Sequence, residues 1–462
     1  MFGTDGVRAK VGQGPLALEN VLALGRAIGR LALAEPELFG PGQGGADRPR
    51  CLVGRDTRGS GPMIEMALVA GLVAQGVDVV QGGVLPTPAV ASLVASERYS
   101  FGIVVSASHN PYEYNGIKIF EATGKKIDPA LENRIEAGVG EPAGPLAPVP
   151  GRVESDLEAG SRYFESILAD PAISRDLSGF RIVFDCANGA VGEILRPAVV
   201  FNLQVEATFV ASSPDGANIN AGCGATDPAK MARETARFGA DMGFAFDGDG
   251  DRVILADEDG NVVDGDAVLL LLALDLAARR KLPVPRVVGT VLSNFGLELG
   301  LAEAGIELVR VPVGDRNVAL EMARTGAVLG GEPSGHVIFG DRGGILTGDG
   351  LYTAFRVLSL SARTGSSLSQ LAGAFQPVPQ VQVDVPVARR VPFEELASVV
   401  RERRSAEKKL GRRGRVLLRY SGTEDLARVM VEGEDAEEVR RLAALLAAAI
   451  ERDLGAASPK SR

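Results

Sequence analysis

Short apolar runs that break off on polar, glycine-rich loops recur along most of the chain, with stretches of mixed polarity between them. Runs of this length, rich in Val, Ile and Phe, read as buried strands, and the mixed stretches as helices laid on a sheet. After an amphipathic helix expected from about Pro15 to Ala34, the strand Cys51 to Gly54 ends in Arg55-Asp56-Thr57-Arg58. Val77 to Val80 leads towards Leu85-Pro86-Thr87-Pro88, and Phe101 to Val105 into Ser106-Ala107-Ser108-His109-Asn110-Pro111. The same order returns with Arg181 to Phe184 before Asp185-Cys186-Ala187-Asn188-Gly189, Val205 to Val210 before Asn218-Ile219-Asn220, and Met242 to Phe246 before Asp247. A third pass runs Arg286 to Gly289, Ile306 to Val311 and Ala327 to Leu329, ending in Gly331-Glu332-Pro333-Ser334-Gly335-His336. Three copies of one α/β unit follow from this, each delivering polar residues to the sheet edge where open α/β sheets bind ligands. Pro- and Gly-rich Pro142 to Gly151 separates the first two copies. Beyond Arg363 to Pro377 the pattern changes to alternating Val381, Val383, Val385 and Val387, a helix over about Pro392 to Lys408, strands Val416 to Tyr420 and Ala427 to Glu432, and a helix from near Asp435. That is a smaller α+β domain.

Composition narrows the function classes. The 58 glycines among 462 residues show no three-residue period, so they mark tight loops. The longest apolar run, Ala267 to Leu274, is too short to span a bilayer, and Met1-Phe2-Gly3-Thr4-Asp5 does not open a signal or transit peptide. A cytoplasmic protein with no membrane partner is expected. A net charge of −10 argues against a general nucleic-acid binder and leaves room for a small anionic ligand in a local basic pocket. Cys51, Cys186 and Cys223 are odd in number and widely spaced, which disfavours disulfides and a thiolate zinc site. The two histidines, His109 and His336, both fall in loops that stand out on other grounds.

Asp247-Gly248-Asp249-Gly250-Asp251 is the strongest local signal: the glycines free the backbone to fold carboxylates round one hard cation such as magnesium, with Arg252 beside it. An EF-hand would share the acid spacing, but it needs Gly where Arg252 stands and helices where Phe244 to Phe246 and Val253 to Leu255 read as strands. A haloacid-dehalogenase-like site, with an Asp itself phosphorylated, is the competing mechanism, and an acidic structural turn would suffer mutual repulsion without a cation. Glu332, Ser334 and His336 suit sugar hydroxyls and proton or phosphate handling, although an ordinary Gly-rich turn fits that stretch equally well. Arg419-Tyr420-Ser421-Gly422-Thr423-Glu424, with Arg428, offers guanidinium, hydroxyl and backbone N–H donors to a phosphate and lacks the spacing of a nucleotide P-loop. Ser108 has no Gly-x-Ser-x-Gly elbow, and adjacent His109 is poorly placed as its base; Lys118 is the better candidate if a strand return brings it back.

Taken together, Phe2-Gly3-Thr4-Asp5-Gly6-Val7-Arg8, Ser106 to Pro111, Asp247 to Arg252, Glu332 to His336 and Arg419 to Glu424 resemble, in order, the stations of the α-D-phosphohexomutase family over nearly the whole chain. The resemblance implies an α/β fold: three similar α/β/α domains with mixed sheets and a C-terminal α+β domain, arranged round a central cleft. The domains are expected at residues 1–146 with the phosphoserine loop, 147–255 with the metal-binding loop, 256–368 with the sugar-binding loop and 369–462 for phosphate binding. It also implies an isomerase in which Ser108 carries a phosphoryl group beside one Mg2+ held by Ser108, Asp247, Asp249 and Asp251. Lys118, His336, Arg8 and Arg252 would be catalytic, and Glu332, Ser334, Arg419, Ser421, Gly422, Thr423 and Arg428 would bind substrate. A hexose 6-phosphate would pass through a bisphosphate to the 1-phosphate, with glucosamine or glucose 1,6-bisphosphate as activator and the protein a monomer or homodimer. Asp185 to Ala190, Asn218-Ile219-Asn220 with Cys223-Gly224, Ser293-Asn294, Val313 to Arg316 and Thr347 to Gly350 are similar to the branch acting on glucosamine phosphates, on the route to UDP-N-acetylglucosamine. The phosphomannomutase/phosphoglucomutase branch and a non-catalytic sugar-phosphate binder are the alternatives. Ala9, Asn317, Pro333 and Asp425 depart from the family pattern, and Pro333 lies between two expected sugar ligands.

Overall fold

One strand plan is used three times. In a computed structural model, which describes all residues except Thr4, 41–47, Arg98, Ala143, Leu203, 422–424 and 456–462 and the side chains of residues 200–202, each α/β copy places its first strand between its second and third and adds a fourth beside the third. In the first copy the order is Asp78–Val84, Arg50–Arg55, Phe101–Val105, Tyr114–Glu121; in the second, Glu206–Val210, Arg181–Asp185, Met242–Phe246, Val253–Ala256; in the third, Glu307–Val311, Arg286–Thr290, Leu329–Gly331, Val337–Phe339. First and third strands run parallel in every copy, and the fourth returns antiparallel to the third. The sheets are therefore mixed.

This plan decides where the chemistry goes. The turn between third and fourth strand holds Ser108 in the first copy, Asp247 to Arg252 in the second and Glu332 to His336 in the third. Three loops of unlike sequence thus occupy equivalent places. Phe101–Val105 and Met242–Phe246 are buried at every position, as strands covered on both faces must be, so only their ends offer polar groups. Phe184 of the second copy stacks on Phe209 and Phe244, with centroids 5.7 and 5.8 Å away, and stiffens the sheet that carries the acidic turn.

The first sheet is extended by Gly6–Lys10, which pairs antiparallel with Tyr114–Glu121 and sets Arg8 opposite Gly116. Gly-Val-Arg-Ala-Lys has too few apolar residues to show a strand period in the sequence. The apolar run at Ala267 lies within the helix Gly265–Ala278, capped by the Asp264 side chain. Among the described residues no helix is long and apolar enough to cross a membrane.

The chain forms two compact units, Met1–Thr290 with Val309–Ala374, and Val291–Leu308 with Phe375–Arg462. The second contains an antiparallel sheet in the order Gln380–Pro386, Leu426–Gly433, Gly414–Tyr420, and the helices Ala397–Leu410 and Ala436–Leu454. Val385, Val399, Val429, Val431, Val439 and Leu446 belong to its core.

Candidate active site

Ser108 ends a fully buried strand and adopts a left-handed backbone, φ 51°, which few non-glycine residues take without outside support. Its hydroxyl donates to Asp247 Oδ2 at 2.6 Å and lies 3.2 Å from His109 Nδ1. Adjacency in sequence argues against His109 as the base for this hydroxyl; with Ser108 at positive φ the two side chains nonetheless lie within 3.2 Å. Burial, with Arg252 and Arg8 nearby, pushes the His109 pKa down to about 4, so its ring is neutral near pH 7.

Asp247, Asp249 and Asp251 are all buried and present oxygens within 4.8 Å of one another. Gly250, at φ 71°, supplies the bend that a side chain would resist, and a Cβ there would meet Val191 and Pro86. Thr87 Oγ1 donates to Asp249 Oδ2 at 2.5 Å, and the Arg252 N–H to Asp247 Oδ1 at 3.1 Å. Asp249 Oδ1 and Asp251 Oδ1 are buried and accept no hydrogen bond. Burial, then the charges of Asp251 and Asp249, raises the Asp247 pKa well above the carboxylate range. Crowded oxygens with buried lone pairs unused are the donor set a hard divalent cation takes, so the residues present fit one.

Lys118 reaches this cluster from the returning strand, where it pairs with Val104. Its ammonium lies 2.8 Å from Asp249, 3.1 Å from Asp251 and 3.4 Å from Asp5. Burial opposes the charge, but the three carboxylates outweigh it and hold the pKa well above the lysine range. A lysine so held suits charge compensation rather than proton acceptance.

The charges continue into a closed ring. From Asp251 the His336 imidazole lies 3.6 Å away through Nδ1, and its Nε2 is 3.7 Å from Asp315. Asp315 pairs with Lys126, Lys126 with Asp5, and Asp5 returns to Lys118. Alternating signs offset what burying each charge alone would cost. Burial works against protonation of His336, yet Asp251 and Asp315 raise its pKa. Arg8 pairs with Asp5, and Arg252 Nε stands 3.9 Å from Asp251. Asp5 and Asp315 stand in recognisable motifs, but nothing in the sequence joins them to each other or to Lys126, because 121 residues separate Asp5 from Lys126 and 189 separate Lys126 from Asp315.

Glu332 Oε1 accepts the Gly314 N–H at 3.0 Å, and Ser334 Oγ lies 3.4 Å from its other oxygen. Pro333 leaves this turn intact: the hydrogen bonds that close it use Glu332 and Gly335, and its carbonyl accepts from Gly265. Asn317, another departure from the family pattern, donates through Nδ2 to the Val313 carbonyl at 3.0 Å.

In the second unit Arg419 and Arg428 face each other directly across antiparallel strands, with Asp384 Oδ2 3.7 Å from Arg428 Nε. Burial and then Arg428 lower the Arg419 pKa, while Asp384 opposes the shift. Ser421 is buried and its N–H donates to Leu426 at 2.8 Å. Gly422 and Thr423 lie outside the described residues.

Family models for phosphoglucomutase/phosphomannomutase match the chain in order: α/β/α domain I at residues 1–143, domain II at 161–260, domain III at 264–378 and the C-terminal domain at 381–449. The phosphoglucosamine mutase of Syntrophotalea carbinolica is 43% identical over 98% of both chains. That of Anaeromyxobacter dehalogenans is 44% identical over 98% of this chain and 99% of its own. Among solved structures, a phosphoglucomutase/phosphomannomutase family protein from Burkholderia thailandensis superposes with a TM-score of 0.80, at 27% identity and 99% coverage of both chains. The Aspergillus fumigatus N-acetylphosphoglucosamine mutase, solved with GlcNAc-6P and magnesium, shares the fold with a TM-score of 0.66 at 20% identity, over 94% of this chain and 99% of its own.

Proposed function

The chain belongs to the phosphoglucomutase/phosphomannomutase family, and from that membership we propose that it interconverts glucosamine 6-phosphate and glucosamine 1-phosphate, the phosphoglucosamine mutase reaction. It is an isomerase working by phosphoryl transfer. The observation that carries the residue-level reading is the Ser108 hydroxyl, held 2.6 Å from Asp247 at the edge of a buried carboxylate triad.

In this reading the C1 hydroxyl oxygen of glucosamine 6-phosphate attacks the phosphorus of phosphorylated Ser108. The P–Oγ bond breaks as the new P–O bond forms, and the hydroxyl proton ends on Oγ. The sugar, now a 1,6-bisphosphate, turns round. Ser108 Oγ then attacks the phosphorus at C6, the P–O6 bond breaks, and the serine proton ends on O6, which releases the 1-phosphate and restores phosphoserine. Asp247 Oδ2 and His109 Nδ1 stand closest to Oγ for that proton. Lys118, Arg8, Arg252 and His336 supply positive charge round the transferring group, Glu332 and Ser334 meet sugar hydroxyls, and Arg419, Ser421, Gly422, Thr423 and Arg428 bind phosphate. Little bond-making falls to the protein in such transfers; positioning and charge account for most of the rate. Asp247, Asp249 and Asp251, with a phosphate oxygen on Ser108, would hold one Mg2+, which supplies Lewis-acid stabilisation of phosphoryl oxygens when bound. Glucosamine or glucose 1,6-bisphosphate would load Ser108 at the start. Cytoplasmic residence agrees with three buried, unbridged cysteines among the described residues, and the working form is a monomer or homodimer.

The test follows the phosphorylated protein with Mg2+ by phosphorus NMR, comparing kcat/KM for glucosamine, glucose and mannose 6-phosphates. Preference for glucosamine 6-phosphate is expected. Better turnover of glucose or mannose 6-phosphate would overturn the substrate assignment, and a Ser108→Ala variant that still turns over would overturn the mechanism.

A further inference from the structure

The reading of Ser108 as phosphoryl carrier leaves open what holds its loop in a strained backbone, and the answer lies on a residue outside the charge ring. Arg58 follows the first strand of the first copy and has essentially no exposed surface. Its guanidinium directs five N–H bonds to five acceptors: Asp56 Oδ2 at 2.9 Å, the Ser108 carbonyl at 2.9 Å, Asn110 at 2.8 Å, Tyr114 at 3.0 Å, and Pro111. Four of these are backbone carbonyls, three in the turn that presents Ser108 and one, Tyr114, at the start of the strand that leaves it. A planar five-donor fork matched at every position acts as a template for the turn; lysine offers three donors from a point.

Support reaches the Ser108 peptide from both sides. Its N–H donates to Ser106 Oγ at 2.9 Å, and Ser106 Oγ donates to Asp56 Oδ2 at 2.6 Å, the oxygen that also accepts Arg58 Nε. Its carbonyl accepts Arg58 Nη2 and Asn220 Nδ2, each at 2.9 Å. Asn220 comes from the second α/β copy, which also carries the acidic turn; it bonds the Asn110 carbonyl as well, at 3.2 Å. A Cβ on Gly248 of the acidic turn would fall 2.6 Å from the Ser108 carbonyl, so the two loops meet backbone to backbone.

We infer that Arg58 is the positioning residue of the nucleophile: with Asp56, Ser106 and Asn220 it fixes the Ser108 peptide so that Oγ points at the carboxylate triad. Arg58 touches neither substrate nor the transferring group. Its effect passes through the carbonyls it holds.

The experiment measures Ser108 phosphorylation by glucose 1,6-bisphosphate in single turnover, read by intact mass, beside steady-state kinetics and the thermal midpoint of each full-length variant. A nucleophile displaced by under an ångström loses about a hundredfold in rate, so Arg58→Lys is expected to lower the phosphorylation rate and kcat about a hundredfold with KM within about twofold. Arg58→Met, with no donor, falls further, so lysine gives partial rescue. Asn220→Ala, which removes a donor from both the Ser108 and Asn110 carbonyls and leaves Arg58 in place, is expected to lose about tenfold in the same rate per folded molecule. If Asn220→Ala and Arg58→Lys phosphorylate at the wild-type rate per folded molecule, the inference is overturned. It is equally overturned if the loss tracks only the unfolded fraction. Failure of the wild-type protein to take phosphate on Ser108 would overturn the Proposed function instead, and the two failures are read in separate samples.

Discussion

Lys118 is buried among three carboxylates, and its removal separates its charge from its packing. Lys118→Met keeps most of the volume and leaves Asp249 and Asp251 with excess negative charge. Breaking a buried ion pair this way costs about 3–5 kcal/mol, so a lower thermal midpoint is expected without cation. The same loss leaves the triad more attractive to Mg2+, and a ligand that binds only the folded state restores stability by mass action. Thermal unfolding with and without Mg2+ should therefore show a larger cation-induced rise in Lys118→Met than in wild type, while kcat falls about a hundredfold or more for want of the charge. Equal cation response in both proteins would remove the triad as a cation site. At this scale the sequence displayed Ser108, Lys118 and the aspartates because each stands in a distinctive run. It placed Arg58, Asp56 and Asn220 on loops at strand ends without showing their role, since Arg58 and Asn220 bond backbone carbonyls, which need no particular neighbour in sequence. The meeting of Asp5, Lys126 and Asp315 was hidden by their distance along the chain.

The equivalent turns of the three copies are set by strand pairing, so the weak points of the site are places where two elements touch through glycine. Gly248 is one. An added methyl would lie 2.6 Å from the Ser108 carbonyl, which is backbone, and 2.9 Å from Asn220 Nδ2, which two carbonyls hold in place. Gly248→Ala should push the acidic turn and the serine turn apart, lowering kcat about a hundredfold at a stability cost of about 1–3 kcal/mol. Activity per folded molecule, with the folded fraction from urea unfolding, checks this; a loss explained by unfolding alone would contradict it. Gly348 is a second such point, since a methyl there would lie 2.3 Å from His336 Nε2. Gly348→Ala is expected to displace the imidazole from Asp315 and lower kcat about tenfold or more, measured by the same pair of assays, with an unchanged kcat counting against a role for His336. First, second and third strands were legible where each is an apolar run ending on a loop; in the third copy the third strand, expected at Ala327 to Leu329, lies at Leu329–Gly331, where two glycines hide the run. Returning strands were harder. Tyr114–Glu121 reads Tyr-Asn-Gly-Ile-Lys-Ile-Phe-Glu, with Asn115 and Lys118 buried for their bonds rather than their apolarity, which breaks the alternation that marks a strand.

The second unit is built from two distant stretches of chain, and this governs how it folds and what it can bind. Val291–Leu308 belongs to it with Phe375–Arg462, tied by the Arg415 side chain to the Val291 and Ser293 carbonyls at 2.9 and 2.8 Å, and by Asn294 to the Val378 carbonyl and N–H. Glu432, fully buried, accepts from both Arg415 and the Phe295 N–H. A fragment of residues 375–462 lacks those partners and strands charged groups, so it should melt lower and less cooperatively than the same fragment with 291–308 supplied as a peptide. Circular dichroism on heating decides, and identical curves would contradict the assignment. Within this unit Arg419 and Arg428 stand opposite each other on paired strands, where like charges destabilise the pair by a fraction of a kcal/mol to about 1 kcal/mol. An anion between them reverses that sign. Inorganic phosphate is therefore expected to raise the thermal midpoint of the full-length protein. Arg428→Met, which removes the repulsion and the Asp384 ion pair together with one charged donor set, should bind phosphate about tenfold to a hundredfold more weakly, the equivalent of one charge-assisted hydrogen-bonding group. Phosphate titration by calorimetry on wild type and variant gives both affinities directly. Equal affinities would move phosphate recognition away from this strand pair and leave the two arginines as surface charges.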